Sequence, residues 1–77
     1  MMNNIIENPH HLIIGNKYTI TLPCYDDYDE GLEAEVMVIV VIGKLKYVYL
    51  LHDIKNGINI EYTYNLLKDC IIEENLL

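Results

Sequence analysis

Few residues in this chain have the chemistry to form a site. They are three histidines (His10, His11, His52), two cysteines (Cys24, Cys70) and a run of carboxylates at Asp26, Asp27, Asp29, Glu30 and Glu33. Neighbouring histidines on a strand point to opposite faces, so His10 and His11 make a poor chelate. A calcium loop places oxygen ligands at alternate positions, then a glycine, then a distant glutamate. Asp27-Tyr28-Asp29-Glu30-Gly31 lacks that spacing. Cys24 has no histidine or lysine beside it to lower its thiol pKa. Cys70 precedes Ile71-Ile72 and reads as a small buried hydrophobe. There is no serine, no CxxC pair and no glycine-rich phosphate loop. No catalytic residue, metal or cofactor is assigned, and the chain is read as not an enzyme.

The carboxylates suit a different role. Tyr25, Asp26, Asp27, Tyr28, Asp29 and Glu30 form an acidic loop with two aromatic anchors, which fits docking to a basic protein surface. Net charge is −7, and all five basic residues are lysines. Arginine's planar fork is the preferred group for phosphate and guanine. Its absence from an acidic chain argues against direct nucleic-acid binding. The start has no basic region followed by a long apolar one, which argues against a signal peptide. No apolar run reaches the roughly 20 residues of a membrane helix. A cytoplasmic setting is expected, and no membrane partner.

The elements that must position these residues read as mainly β. Lys17 to Leu22 alternates, with Tyr18, Ile20 and Leu22 on one side. Pro23 to Gly31 is a long loop. Val36 to Ile42 and Leu45 to Leu51 form a hairpin, with Gly43-Lys44 as a type II′ turn. Asn56-Gly57 marks the next turn, and Ile58 to Tyr64 alternates again. His10 to Ile14 reads as the start of a strand, Asn65 to Cys70 as one short helical turn capped by Asn65, and Ile71-Ile72 as a last strand. Residues 1–9 read as a loosely ordered start, 10–74 as a single domain and 75–77 as a frayed end.

A turn at Gly43-Lys44 sets the pairing. Val36, Val38 and Val40 then share a face with Leu51, Tyr49 and Tyr47. Met37 and Ile39 share the other with Leu50 and Val48. A two- or four-residue turn before Ile58 adds Ile60 and Tyr62 to the Tyr49/Leu51 face. A three-residue turn with a glycine bulge, which turn statistics mildly favour, adds them to the Val48/Leu50 face instead. The polar residues around the latter face favour the first solution. The expected core is therefore Val36, Val38, Val40, Tyr49, Leu51, Ile60 and Tyr62. Met37, Ile39, Val48 and Leu50 are left over, rimmed by Glu35, Lys46 and His52, with Glu61 beside them. An apolar centre with a polar rim is how an interface looks. The chain ends, a second copy or a foreign protein could cover it.

The order strand, long loop, three-stranded meander, helical turn, short strand resembles the small SH3-like barrels, a group that includes Tudor and KOW modules. The resemblance spans residues 12–74 and is one of layout. It implies a five-stranded barrel; a bent antiparallel sheet with one short helical turn is the alternative. Tyr25-Asp26-Asp27-Tyr28 echoes the ALYDY-like segment of peptide-binding SH3 domains. The chain has no tryptophan, so peptide binding is not carried over.

The expected function is a small, acidic, non-catalytic protein-binding module, with homodimerisation also expected. Isoleucine, asparagine, lysine and tyrosine have AT-rich codons, and their abundance fits a low-GC bacterium, its phage or a mobile element. Small size and acidic charge suit an accessory protein of such an origin that inhibits a host protein. Two other readings stand beside it. One is a symmetric oligomer that sequesters a planar ligand on Tyr47, Tyr49, Tyr62 and Tyr64. The other is a structural subunit of a larger assembly.

Overall fold

The computed structural model of the chain describes residues 4–22 and 35–75. The acidic loop, Cys24 and Glu33 lie outside the described residues. Among the described residues six antiparallel strands form one sheet: β1 (Asn4–Ile6), β2 (Lys17–Thr21), β3 (Val36–Lys44), β4 (Val48–Asp53), β5 (Ile58–Thr63) and β6 (Ile71–Glu74). Their order across the sheet is β1-β6-β2-β3-β4-β5. The sheet is open, because β1 and β5 are its edges and do not pair with each other. A 3-10 turn, Pro9–His11, and a short helix, α1 (Tyr64–Leu67), complete the fold. The open antiparallel sheet with a short helical turn therefore stands, and the closed five-stranded barrel does not.

Asn4, Ile5 and Ile6 pair with Glu74, Glu73 and Ile72 and add a sixth strand. His10 to Ile14 is not a strand. Asn8 Oδ1 accepts from His10 N–H at 3.0 Å and Pro9 fills the first helical position, so the chain turns there instead. Leu12 follows and is buried. The helical turn after β5 is capped by Thr63, whose Oγ1 accepts from Leu66 N–H at 3.3 Å, not by Asn65.

The largest departure from expectation lies in the central hairpin. The chain reverses at Lys46-Tyr47, with Leu45 N–H donating to Val48 O at 2.8 Å. β3 runs on through Gly43 to Lys44, which stands opposite Tyr49. Between Val41 and Gly43 the ladder shifts: Val41 faces Leu51 and Gly43 faces Leu50, so Ile42 is an extra, bulged residue. Gly43 has no positive φ. Its role is close approach, since a Cβ there would lie 3.1 Å from Leu50 Cδ1. One added residue exchanges the two faces of a strand. Ile39 and Val41 consequently join Tyr49 and Leu51 in the core, while Val36, Val38 and Val40 turn outward.

On the β4–β5 side the expected register holds. A four-residue turn, with Gly57 at φ 67°, brings Leu51 opposite Ile60 and Tyr49 opposite Tyr62. The core comprises Tyr18, Ile20, Ile39, Val41, Tyr49, Leu51 and Ile72 on one sheet face, closed over by Leu12 and Leu67. The buried Tyr18 hydroxyl is satisfied by Ile13 N–H at 3.0 Å.

Candidate functional site

Two surfaces emerge from this register. The first is the sheet face opposite the core. Val40 lies between Lys17 and His52, Val38 beside Thr19, and Val36 beside Thr21. Leu50 faces Glu61 and Val48 faces Thr63. Ile71, 56% exposed, adds to the same side beside Thr21. Val36 is 57% exposed and Val38, Val40, Val48 and Leu50 are half-buried. Both helical turns pack on the other side, so neither lies over this face. The result is an apolar centre ringed by Lys17, Thr19, Thr21, His52, Glu61 and Thr63.

The interface expected from sequence is thus split between the two faces. Val48 and Leu50 belong to the outer face, together with His52 and Glu61. Ile39 is fully buried in the core. Met37 is half-buried on the core side, its Sδ 4.0 Å from the Tyr62 hydroxyl. Glu35 is exposed just before β3, and Lys46 sits in the hairpin turn with Nζ 5.6 Å from the Tyr47 ring centroid. His52 Nδ1 lies 2.8 Å from Asn59 Oδ1. Nothing places Tyr25, Asp26, Asp27, Tyr28, Asp29 or Glu30, which fall outside the described residues.

The second surface is a ring cluster at the hairpin end. His10 stacks on Tyr64 with centroids 4.6 Å apart and planes 20° apart. Its Nδ1 is 2.8 Å from the Tyr49 hydroxyl. Tyr47 stands edge-on to Tyr64 at 6.3 Å. Lys44 pins the segment that carries His10, because its Nζ donates to His10 O at 3.0 Å and Leu12 O at 2.7 Å. Beside the rings, Tyr47, Val48, Thr63, Tyr64 and Asn65 line an open cleft of about 470 Å³. A second hollow, of about 300 Å³, runs past Glu35, Val36, Met37, Val38, Asp53, Lys55 and Asn56.

Three of the four tyrosines named from sequence therefore meet. The fourth, Tyr62, stands opposite Tyr49 in the ladder but turns its hydroxyl to Met37. The part played by His10 was not legible, because only the Asn8-Pro9 turn and the Lys44 tether carry it there.

Four titratable side chains are shifted by their surroundings. Burial raises the Tyr49 hydroxyl pKa, and the neighbouring Tyr64 adds to it. Burial also raises that of Tyr62, reinforced by Glu35. The Cys70 thiol is pushed up by burial and then by Asp69, and it donates to Leu66 O at 3.3 Å, so it is a weak nucleophile. Asp53 is held below its ordinary value by the Asn56 side-chain amide, then by backbone N–H groups. Among the described residues no three His, Cys, Asp or Glu side chains gather as a metal site. No helix there is long and apolar enough to cross a membrane.

No protein-family model matches the chain, and comparison with curated proteins and with solved structures returns no significant match.

Proposed function

We propose that the chain is a small, acidic, non-catalytic protein-binding module whose contact surface is the outer sheet face around Val38, Val40, Val48 and Leu50. The observation that carries this reading is the Ile42 bulge. It gives the sheet a core on one side and still leaves a second apolar face on the other. Protein interfaces have this anatomy of an apolar centre within a polar rim. The order of β2 to β6, a strand, a meander, a helical turn and a return beside the first strand, is compatible with an SH3-like layout. Modules of that kind act mostly by binding. The charge of −7 without arginine favours a basic protein partner over nucleic acid. The Tyr25–Glu30 loop adds carboxylates that could imitate phosphates, which suits a phage or mobile-element inhibitor of a host protein.

The test is retention of an identified host protein on immobilised wild-type chain and on a Val36→Lys/Val38→Lys variant with an unchanged far-UV spectrum. Loss of that protein from the variant supports the reading. Equal retention, or no retained protein at all, contradicts it.

The ring cluster favours a second reading, capture of a planar ligand. Tyr47 and Tyr64 line the 470 Å³ cleft, and aromatic faces stack on planar molecules. Thermal shift with nucleotides and other planar compounds tests it. No stabilisation by any of them at millimolar concentration counts against it.

A further inference from the structure

Among the described residues β5 is the longer of the two edges of the sheet. The other edge, β1, has three residues against six in β5. Natural edges are blunted by proline, lysine or a bulge. β5 reads INIEYT, and its ladder to β4 has no register shift. Tyr64 N–H donates to Tyr47 O at 2.8 Å. Alternation then turns the backbone groups of Tyr62, Ile60 and Ile58 toward β4, and those of Asn59, Glu61 and Thr63 outward. All three outward residues are exposed. The core row is also unfinished here. Tyr49 and Leu51 have no exposed surface, yet Tyr62 and Ile60 opposite them are half-buried, and Ile58 is 52% exposed.

We propose that a second copy of this chain supplies the missing strand, pairing β5 with β5 antiparallel about a two-fold axis, with Ile60 opposite Ile60 of the second copy. An axis normal to the sheet keeps each face on its own side, so facing residues must share a face. A centre at Glu61 would set two carboxylates against each other, which is destabilising. Centres at Asn59 or Tyr62 run the pairing into the Asn56-Gly57 turn or into α1. A centre at Ile60 pairs Ile58 with Tyr62 and Asn59 with Glu61. Asn59 Oδ1 is already engaged by His52. That leaves the Asn59 amide N–H groups to donate to the Glu61 carboxylate of the second copy. Main-chain bonds run between Asn59 and Glu61 in both directions. The pairing does not rest on the outer-face reading, since it occupies an edge and leaves Val38 and Val40 uncovered.

Light scattering on the full chain tests the pairing. The wild type is expected at twice 9.0 kDa, and Glu61→Pro at the monomer mass with an unchanged far-UV spectrum, because the N–H it removes points away from β4. Non-hydrogen-bonded strand pairs bring Cα atoms to about 4.5 Å, within disulfide range. In a Cys24→Ala/Cys70→Ala background, Ile60→Cys is therefore expected to cross-link under mild oxidation and Glu61→Cys is not. This arm decides alone if Glu61→Pro fails to fold. Loss of partner retention in Val36→Lys/Val38→Lys with dimer mass unchanged separates the two surfaces. A wild-type monomer across the micromolar range overturns the pairing. So does a dimer that survives in a folded Glu61→Pro variant, or cross-linking of Glu61→Cys in place of Ile60→Cys.

Discussion

Val41 stands directly opposite Leu51, whereas Gly43 stands opposite Leu50: β3 spends two residues where β4 spends one. Every assignment of inside and outside on β3 follows from that single extra residue. Gly43 serves close approach, since a Cβ there would lie 3.1 Å from Leu50 Cδ1, and Gly57 serves a positive φ with nothing within 4 Å. The two glycines should therefore answer differently to substitution. Gly57→Ala is expected to cost about 1–2 kcal/mol through left-handed backbone strain, despite the open space. Gly43→Ala is expected near neutral because Leu50 Cδ1 can rotate away, and Gly43→Val to cost about 1–3 kcal/mol by overpacking. Urea midpoints of the three variants check this. A harmless Gly57→Ala would contradict the backbone reading.

Lys44 ties the His10–Leu12 segment to the end of β3. Lys44→Met is expected to lower stability by about 1 kcal/mol. It should also release the His10 ring from Tyr64 and Tyr49, and speed hydrogen exchange at His11 and Leu12, whose N–H groups close the 3-10 turn on Asn8 O and Pro9 O. Unchanged exchange at those two amides would mean that the tether does not hold the turn.

Asp53 carries a pH signature. Its Oδ2 accepts from Asn56 Nδ2 at 2.8 Å and its Oδ1 from Asn56 N–H at 3.2 Å. These bonds favour the ionised form, so the folded pKa lies below the ordinary 3.8. A depressed carboxyl pKa contributes stability that is complete above the unfolded value and is lost as pH falls through the folded one. Asp53→Asn should therefore be less stable than wild type near pH 6, and the gap should close below pH 3.8. Urea midpoints from pH 6 to pH 2 read this directly. A gap that stays constant through the acid range would remove the assignment.

Much of the fold was legible in the residues. Lys17 to Thr21 alternates cleanly, and Tyr18 and Ile20 are core. Asn56-Gly57 marks the turn before β5 but leaves its length open. The polar residues around Val48 and Leu50 decide for Ile60 and Tyr62 on the Tyr49/Leu51 face, where the ladder places them. Val48 and Leu50 were placed together on a face opposite Tyr49 and Leu51. The remainder was hidden for physical reasons. Gly-Lys between two apolar runs is a strong hairpin signal, yet the reversal lies three residues further on. In a run as uniformly apolar as Val36–Ile42, no polar side chain marks which parity faces water. The ring cluster needs a tether between Lys44 and residues more than 30 positions earlier, and nothing local in the sequence announces that.

The most direct test is urea unfolding of Val38→Lys beside Ile39→Lys. If the bulge sets the faces as described, Val38→Lys folds with a change of about 1 kcal/mol or less, as an outer-face substitution should. Ile39→Lys, which buries an unpaired ammonium, should leave no cooperative transition. A folded Ile39→Lys together with an unfolded Val38→Lys would restore the unbulged register and remove the exposed apolar face from which binding is inferred.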